Sequence, residues 1–86
     1  MNQNLPVRVT VADVWDAVPL DLLPSTSLAD LKREALTRTR VKKDPDEYVV
    51  KFRGAEILDE STTLKDAGIP PNAALIVLPR RRRPVK

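Results

Sequence analysis

Three acidic side chains lie close together in the sequence, at Glu56, Asp59 and Glu60. Two carboxylates at such a spacing could act as a general acid and a general base. The chain contains no histidine and no cysteine that could serve beside them as base or nucleophile, and a small core leaves little room for a substrate cleft. We therefore interpret these acids as part of a solvated loop, and we predict no catalytic residue and no enzymatic activity.

A second acidic segment, Asp44-Pro45-Asp46-Glu47, could offer oxygen ligands to a hard cation. It lacks the alternating ligands and the central glycine of an EF-hand loop. The absence of histidine and cysteine also removes the commonest nitrogen ligand and every thiolate ligand. The sequence therefore predicts no metal site and no cofactor.

Four consecutive arginines form the most strongly charged segment of the chain: Arg80, Arg81, Arg82 and Arg83. They follow an apolar run at residues 75–78, separated from it only by Pro79. With Lys86 they provide five of the fifteen basic residues, which leaves ten bases against twelve acids and a net charge of −2 for the rest of the chain. We therefore expect a mildly acidic domain at residues 1–79 and a basic, disordered tail at residues 80–86.

This basic tail could bind a nucleic acid, an anionic membrane or an acidic face of a protein, and each interaction would weaken strongly with salt. No aromatic residue lies between the arginines to stack on bases, and no apolar anchor accompanies them to hold a membrane. Binding to nucleic acid or membrane would therefore be weak. The alternative is that the tail only keeps the protein soluble.

Trp15 is the only tryptophan, and it lies at or near the tip of a predicted turn. A partly exposed aromatic ring at such a place is typical of interaction surfaces. The alternative is that the ring folds back over the small aliphatic core or lies against Pro19. Both interpretations stay open at this point.

The composition predicts one small globular domain, since 42% of the 86 residues are apolar and 31% are charged. Its core must be aliphatic, because Trp15, Tyr48 and Phe52 are the only aromatic residues. No apolar run approaches the length of a membrane span, and the N-terminus has neither the basic nor the apolar region of a signal peptide. We therefore expect a cytoplasmic protein.

Apolar and polar residues alternate in two early segments, and a capped helix follows them. Val7, Val9 and Val11 predict a first strand, residues 13–16 a turn, and residues 18–22 a second strand that pairs as a hairpin. Ser27 is a good N-cap, and it predicts a helix over residues 28–39. Leu28, Leu31 and Ala35 form the apolar face of this helix, and the charged residues fall on or beside its other face. Those charged residues are Lys32, Arg33, Glu34 and Arg38.

The second half of the chain predicts three strands and one helical turn. A third strand is expected at residues 48–52, a tight turn at Gly54, a short fourth strand or extended piece at residues 56–58 and a last strand at residues 74–78. A short helical turn over residues 64–68 would end at Gly68. The whole order predicts an α+β roll, in which a five-stranded mixed sheet is covered by one main helix.

Three segments carry a resemblance to a known family. Residues 23–32, LPSTSLADLK, resemble the end of ubiquitin's second strand, its Pro-Ser turn and its helix start. Residues 52–59, FRGAEILD, resemble its Phe-x-Gly-x-x-Leu segment, and residues 63–69, TLKDAGI, resemble its Thr-Leu-Ser-Asp-Tyr-x-Ile turn. The resemblance runs from Val7 to Leu78 and implies a ubiquitin-like β-grasp domain.

The resemblance implies less about function than about fold. Conjugable ubiquitins end in Gly-Gly, whereas the only glycines here are Gly54 and Gly68, inside the predicted domain. The centre of ubiquitin's receptor-binding patch aligns with Lys51, and its flanks align with Ile76 and Leu78. A lysine at that centre would weaken docking of ubiquitin's usual partners. The patch is then either adapted to another partner or simply a solvated face of the sheet.

The chain is also similar to the YukD-like accessory proteins of bacterial type VII secretion, which are short and lack a diglycine end. Three functions follow as hypotheses. The first is a non-catalytic protein-interaction module, such as a secretion accessory or adaptor, that uses Lys51, Ile76 and Leu78, with Trp15 and the tail as further contacts. The second is a protein modifier attached without a diglycine end. The third is a binder of anionic surfaces through the arginine tail.

Overall fold

The structure is a computed structural model that describes residues 4–80. A five-stranded sheet has the order β2-β1-β5-β3-β4, in which β1 and β5 are parallel and the other neighbours are antiparallel. One helix covers one face of this sheet, so the predicted α+β β-grasp roll is confirmed. The elements are β1 (Leu5–Val11), β2 (Asp16–Leu22), α1 (Leu28–Arg38), a 3₁₀ turn (Pro45–Glu47), β3 (Tyr48–Phe52), β4 (Ala55–Glu56) and β5 (Ala73–Pro79).

Helix α1 begins and ends close to the predicted positions. The hydroxyl of Ser27 accepts a hydrogen bond from the backbone N–H of Asp30 at 3.1 Å, which satisfies one of the free donors of the first turn. At the other end, Thr39 donates its backbone N–H to Ala35 and closes the last turn. The apolar face of the helix is buried against the sheet and forms the centre of the core together with the valines of β1.

The tight turn lies at Gly54 as predicted, but the fourth strand starts one residue earlier and ends two residues earlier than predicted. Arg53 and Gly54 both have a positive φ, +55° and +81°, as in a type I′ turn that joins two strands through two residues. Strand β4 therefore starts at once, at Ala55, and pairs with β3 for two residues only. Beyond it Ile57 donates its N–H to Val50, and Leu58 is 84% exposed rather than part of a strand.

Two other local predictions need small corrections. The hairpin turn occupies residues 12–15, and strand β2 already begins at Asp16. Residues 64–68 form hydrogen-bonded turns rather than a helical turn; Gly68, at φ +75°, ends them as expected. Ile69 then turns into the core, where it is buried beside Leu64.

The prediction that Lys32 lies on or beside the exposed face of α1 is wrong. Its side chain is 3% exposed, and its ammonium lies 2.6 Å from a carboxylate oxygen of Glu60. The same ammonium donates to the backbone carbonyl of Tyr48 at 2.9 Å. Lys32 therefore ties the helix to the loop at residues 59–63 and to the first residue of β3.

Candidate protein-interaction surfaces

One face of the sheet packs on α1, and within residues 4–80 no helix covers the other one, which we call the outer face. Strand β5 shows the division, because Ala73, Leu75 and Val77 are buried whereas Ala74 and Ile76 are exposed. Strand pairing brings further side chains onto the outer face beside those of β5. These outer-face residues are Arg8, Thr10, Val49, Lys51, Glu56, Ala74, Ile76 and Leu78.

The pairing of β3 with β5 brings the three sequence-predicted sheet residues together. Lys51 and Ile76 are directly opposite each other, and Leu78 lies next to them opposite Val49. Ile76 is 45% exposed, which is unusual for an isoleucine in the middle of a sheet. The outer face thus presents an apolar strip formed by Ile76, Leu78 and Val49. The ammonium group of Lys51 lies at the centre of this strip.

Val49 was missed by the sequence analysis. Its side chain is only 5% exposed although it points away from the core. It lies at a shallow depression of about 830 Å³, which is also lined by Ala12, Lys51 and Leu78. The signal in the sequence was the uninterrupted apolar run 48–50, since residues on both faces of a buried strand are apolar.

The three acids considered for acid-base chemistry are not brought together. Glu56 lies on the outer face directly opposite Lys51. Asp59 accepts hydrogen bonds from Ser61, and these bonds lower the pKa of its exposed carboxyl. Glu60, predicted in a solvated loop, is instead partly buried against Lys32. Each carboxylate therefore has its own separate environment.

Trp15 lies at the tip of the β1–β2 hairpin, and the residue is 83% exposed. It has a φ of +50°, a conformation that costs a bulky residue free energy. Val14, beside it in the same turn, is also exposed. The tip lies at the same end of the sheet as Leu78, because the N–H of Ala12 donates to the carbonyl of Val77. Trp15 is therefore near that end of the outer face but not part of the strip.

The carboxylate of Asp13, in the turn between β1 and β2, is held by a residue of the core. The hydroxyl of Tyr48, a buried residue, donates a hydrogen bond to a carboxylate oxygen of Asp13. Burial, helped by the carboxylates of Asp13 and Glu47, raises the pKa of Tyr48 to about 12. Tyr48 therefore stays protonated and remains a hydrogen-bond donor throughout the physiological pH range.

Of the four arginines predicted to bind anions, only Arg80 belongs to the described residues. Its backbone N–H donates to Glu47 at 2.6 Å, and its Nε donates to the carbonyl of Asp46 at 3.2 Å. Arg80 thus lies against the 3₁₀ turn. Arg81, Arg82 and Arg83 lie outside the described residues, and their anion-binding role stays a prediction.

Neither a metal site nor a membrane-spanning helix is found in the described part of the chain. Among residues 4–80 no three potential ligand side chains come close enough to hold a metal ion. In the same range no helix has the length and apolar character required to cross a membrane.

The fold defines the class as a ubiquitin-like β-grasp domain, and solved structures agree. The ubiquitin of Caldiarchaeum subterraneum superposes with a TM-score of 0.77 at 12% identity, over 92% of this chain and 96% of that one. The ubiquitin-like domain of an Arabidopsis thaliana protein gives 0.74 at 14% identity, over 98% and 85%. A de novo design based on ubiquitin gives 0.79 at 20% identity over both full chains. Identities this low show the fold alone.

The sequence profile of the TUG ubiquitin-like domain matches residues 16–77, well over half of the chain. The chain therefore belongs to this family. No curated protein is significantly similar to it in sequence. The predicted ubiquitin-like domain is confirmed, whereas the similarity to YukD-like proteins is not supported by these comparisons. Ubiquitin-like domains are typically non-catalytic and generally mediate protein interactions, and at this coarse level the family supports a protein-interaction module.

Proposed function

We propose that this domain is a non-catalytic interaction module that binds a protein partner through its outer face. The observation that carries the proposal is the apolar strip, where Ile76 is 45% exposed beside Leu78 and Val49. Ile76 gains little from folding while it faces water, and burial against a partner would remove its apolar area, with the exposed part of Leu78, from water. The strip is therefore better explained by binding than by stability.

The charges around the strip indicate what kind of partner surface fits it. Lys51 stands at its centre and Glu56 beside it on β4, whereas protein interfaces are apolar at the centre with polar groups at the rim. An ammonium buried there needs a carboxylate opposite it, since an unpaired buried charge is costly. The expected partner therefore carries an acidic side chain within an apolar surface. In this it differs from a protein that binds a ubiquitin-like domain with an isoleucine in place of Lys51.

The finer versions of this function remain proposals. An adaptor role is consistent with a small module that binds without chemistry. A secretion-accessory role and a cytoplasmic location rest only on the sequence, as does binding of anionic surfaces by the arginines that follow Arg80. Attachment to other proteins without a diglycine end also stays a hypothesis from the sequence.

The test is affinity capture with the full chain as bait, followed by quantitative mass spectrometry. Ile76→Asp places a charge in the strip, and Leu23→Asp is the matched control, because Leu23 is also exposed but follows β2 at the opposite end of the sheet from Leu78. Circular dichroism checks that both variants fold. We expect a set of proteins captured by the wild type and by Leu23→Asp but lost with Ile76→Asp. If both variants capture the same proteins as the wild type, the outer face is not the binding surface.

A further inference from the structure

The stability of the fold does not account for a tryptophan at position 15. Among residues 4–80, four non-glycine residues have a positive φ, and Trp15 is the aromatic one of these. A glycine or asparagine would adopt this conformation at lower cost. The residue recovers little of that cost by burial, because it is 83% exposed. Neither the backbone of the turn nor the core therefore accounts for a tryptophan at this position.

The neighbours of Trp15 form a mixed apolar and acidic surface, which we call the hairpin tip (residues 13–16). Val14 adds a second exposed apolar side chain. Asp13 and Asp16 flank the pair on both sides in the turn, and Asp13 is held in place by the hydroxyl of Tyr48. The carboxylate of Glu47 lies near that same hydroxyl and acts on its pKa. An exposed aromatic residue is therefore flanked in the turn by two acidic residues, of which Asp13 is held in place.

We infer that the hairpin tip binds an arginine or lysine side chain of a segment of a partner protein. A cation placed over the tryptophan face is attracted by the ring quadrupole, and the carboxylate of Asp13 can accept its N–H donors in a charge-assisted hydrogen bond. The apolar stem of the same side chain would pack on Val14. Each of these three groups fits a basic side chain within an apolar segment.

Charge complementarity decides between this occupant and others. Nucleic acids and anionic membranes would be repelled by Asp13 and Asp16 of the turn, and an acidic peptide would be repelled equally. The inference rests on the proposed function in one respect, namely that the occupant is a protein. It concerns a different surface from the outer face, so the two can fail separately.

The single tryptophan makes a direct test possible. The full chain, labelled with ¹⁵N, is titrated at low salt with the peptide acetyl-Ala-Arg-Leu-Arg-Ala-amide. The matched control peptide has citrulline, a neutral isostere, in place of both arginines. The indole N–H signal of Trp15 and the backbone signals of residues 13–16 report binding, and Trp15 fluorescence gives a second measurement of the dissociation constant.

We expect the arginine peptide to shift the signals of the hairpin tip and to bind at least about fivefold more tightly than the citrulline peptide. Trp15→Leu keeps an apolar side chain but removes the aromatic face, and it should weaken binding about fivefold, as followed on the backbone signals. Asp13→Asn should weaken binding about threefold and reduce its salt dependence. Leu58→Ala, which removes another highly exposed apolar side chain, should leave binding unchanged.

Equal affinity for the two peptides, or for Trp15→Leu and the wild type, would overturn the inference. So would shifts confined to other parts of the domain. A variant with Arg81, Arg82 and Arg83 changed to Gln tests whether the chain's own arginines occupy the hairpin tip. If this variant binds the arginine peptide and the wild type does not, those arginines are the occupant, and the inference of a partner's basic side chain is overturned. Ile76→Asp should bind the arginine peptide normally, so a failure of the outer face and a failure of the tip give different results.

Discussion

The buried ion pair of Lys32 and Glu60 is predicted to stabilise the fold more strongly than an exposed ion pair does. Its ammonium and carboxylate are 2.6 Å apart, and the two side chains are 3% and 21% exposed. At an effective dielectric constant of about 20, this separation corresponds to roughly 6 kcal/mol of attraction. Desolvation of the lysine offsets most of that attraction. We therefore expect a net coupling free energy of about 2 kcal/mol.

The two partners should respond differently when they are changed singly. Glu60→Gln leaves the buried ammonium of Lys32 with two neutral acceptors, the side-chain oxygen of the glutamine and the carbonyl of Tyr48, but without a counter-charge, and we expect it to lower the free energy of unfolding by about 3 kcal/mol. Lys32→Met removes the charge and fills the site with an apolar side chain. It leaves Glu60 enough exposure to be hydrated, so its cost should be about 1 kcal/mol. The double variant should be no less stable than Glu60→Gln.

Urea unfolding of the wild type, both single variants and the double variant at pH 7 gives the coupling free energy directly. A second cycle on Glu34 and Arg38 is the control, because that pair has a similar separation of 2.9 Å but both side chains are largely exposed. Its coupling should be below about 0.5 kcal/mol. Equal coupling in the two cycles would refute the argument that burial makes the Lys32 pair strong.

Three further predictions follow from single residues. The raised pKa of Tyr48, about 12 in the folded protein, contributes stability that is complete below pH 10 and is lost as the pH rises towards 12. Because solvent screens the hydroxyl, in urea unfolding the wild type should lose at most about 1 kcal/mol more than Tyr48→Phe between pH 8 and pH 11, and parallel losses would contradict this. Gly54→Ala meets no atom within 4 Å but keeps a φ of +81°, so it should lower the melting temperature through about 1 kcal/mol of backbone strain; an unchanged melting temperature would show that the turn adapts. Trp15→Gly should leave the free energy of unfolding unchanged or raise it by up to about 1 kcal/mol, whereas a marked loss would mean that the ring packs on the core in solution.

The elements that were predicted well have strong local signals. Strand β1 alternates without interruption, and α1 has a capping serine followed by apolar residues at helical spacing. Strand β3 matches its predicted bounds, and the last strand extends only one residue further at each end. In all of these the burial of one face and the local sequence favour the same structure, so the sequence was sufficient.

The elements that were predicted poorly depend on partners far away in the sequence. Lys32 follows Leu28 by four residues and so shares the buried face of α1, but its charge suggested exposure. Its partner Glu60 is 28 residues away in the sequence, and no local sequence pattern predicts such a pair. The length of β4 likewise depends on the two-residue turn at Arg53 and Gly54, and an arginine at positive φ has no signal of its own in the sequence.

For the candidate surfaces, the sequence supplied some positions but not their arrangement. Alignment with the resembled family predicted Lys51, Ile76 and Leu78, and strand pairing places them side by side. The burial of Val49 and the fixed carboxylate of Asp13 come from long-range packing. Neither could be read from the neighbouring residues.

The central claim is that a protein partner binds the outer face, and site-specific photo-crosslinking in cells tests it most directly. A photoreactive amino acid replaces Ala74, an exposed residue of the outer face, in one version of the chain and Lys65 in another, since Lys65 is an exposed residue of the 64–68 turns, outside the outer face. We predict discrete crosslinked products from position 74, lost when Ile76→Asp is added, and none of the same products from position 65. The same products from both positions, or none from position 74, would contradict the account.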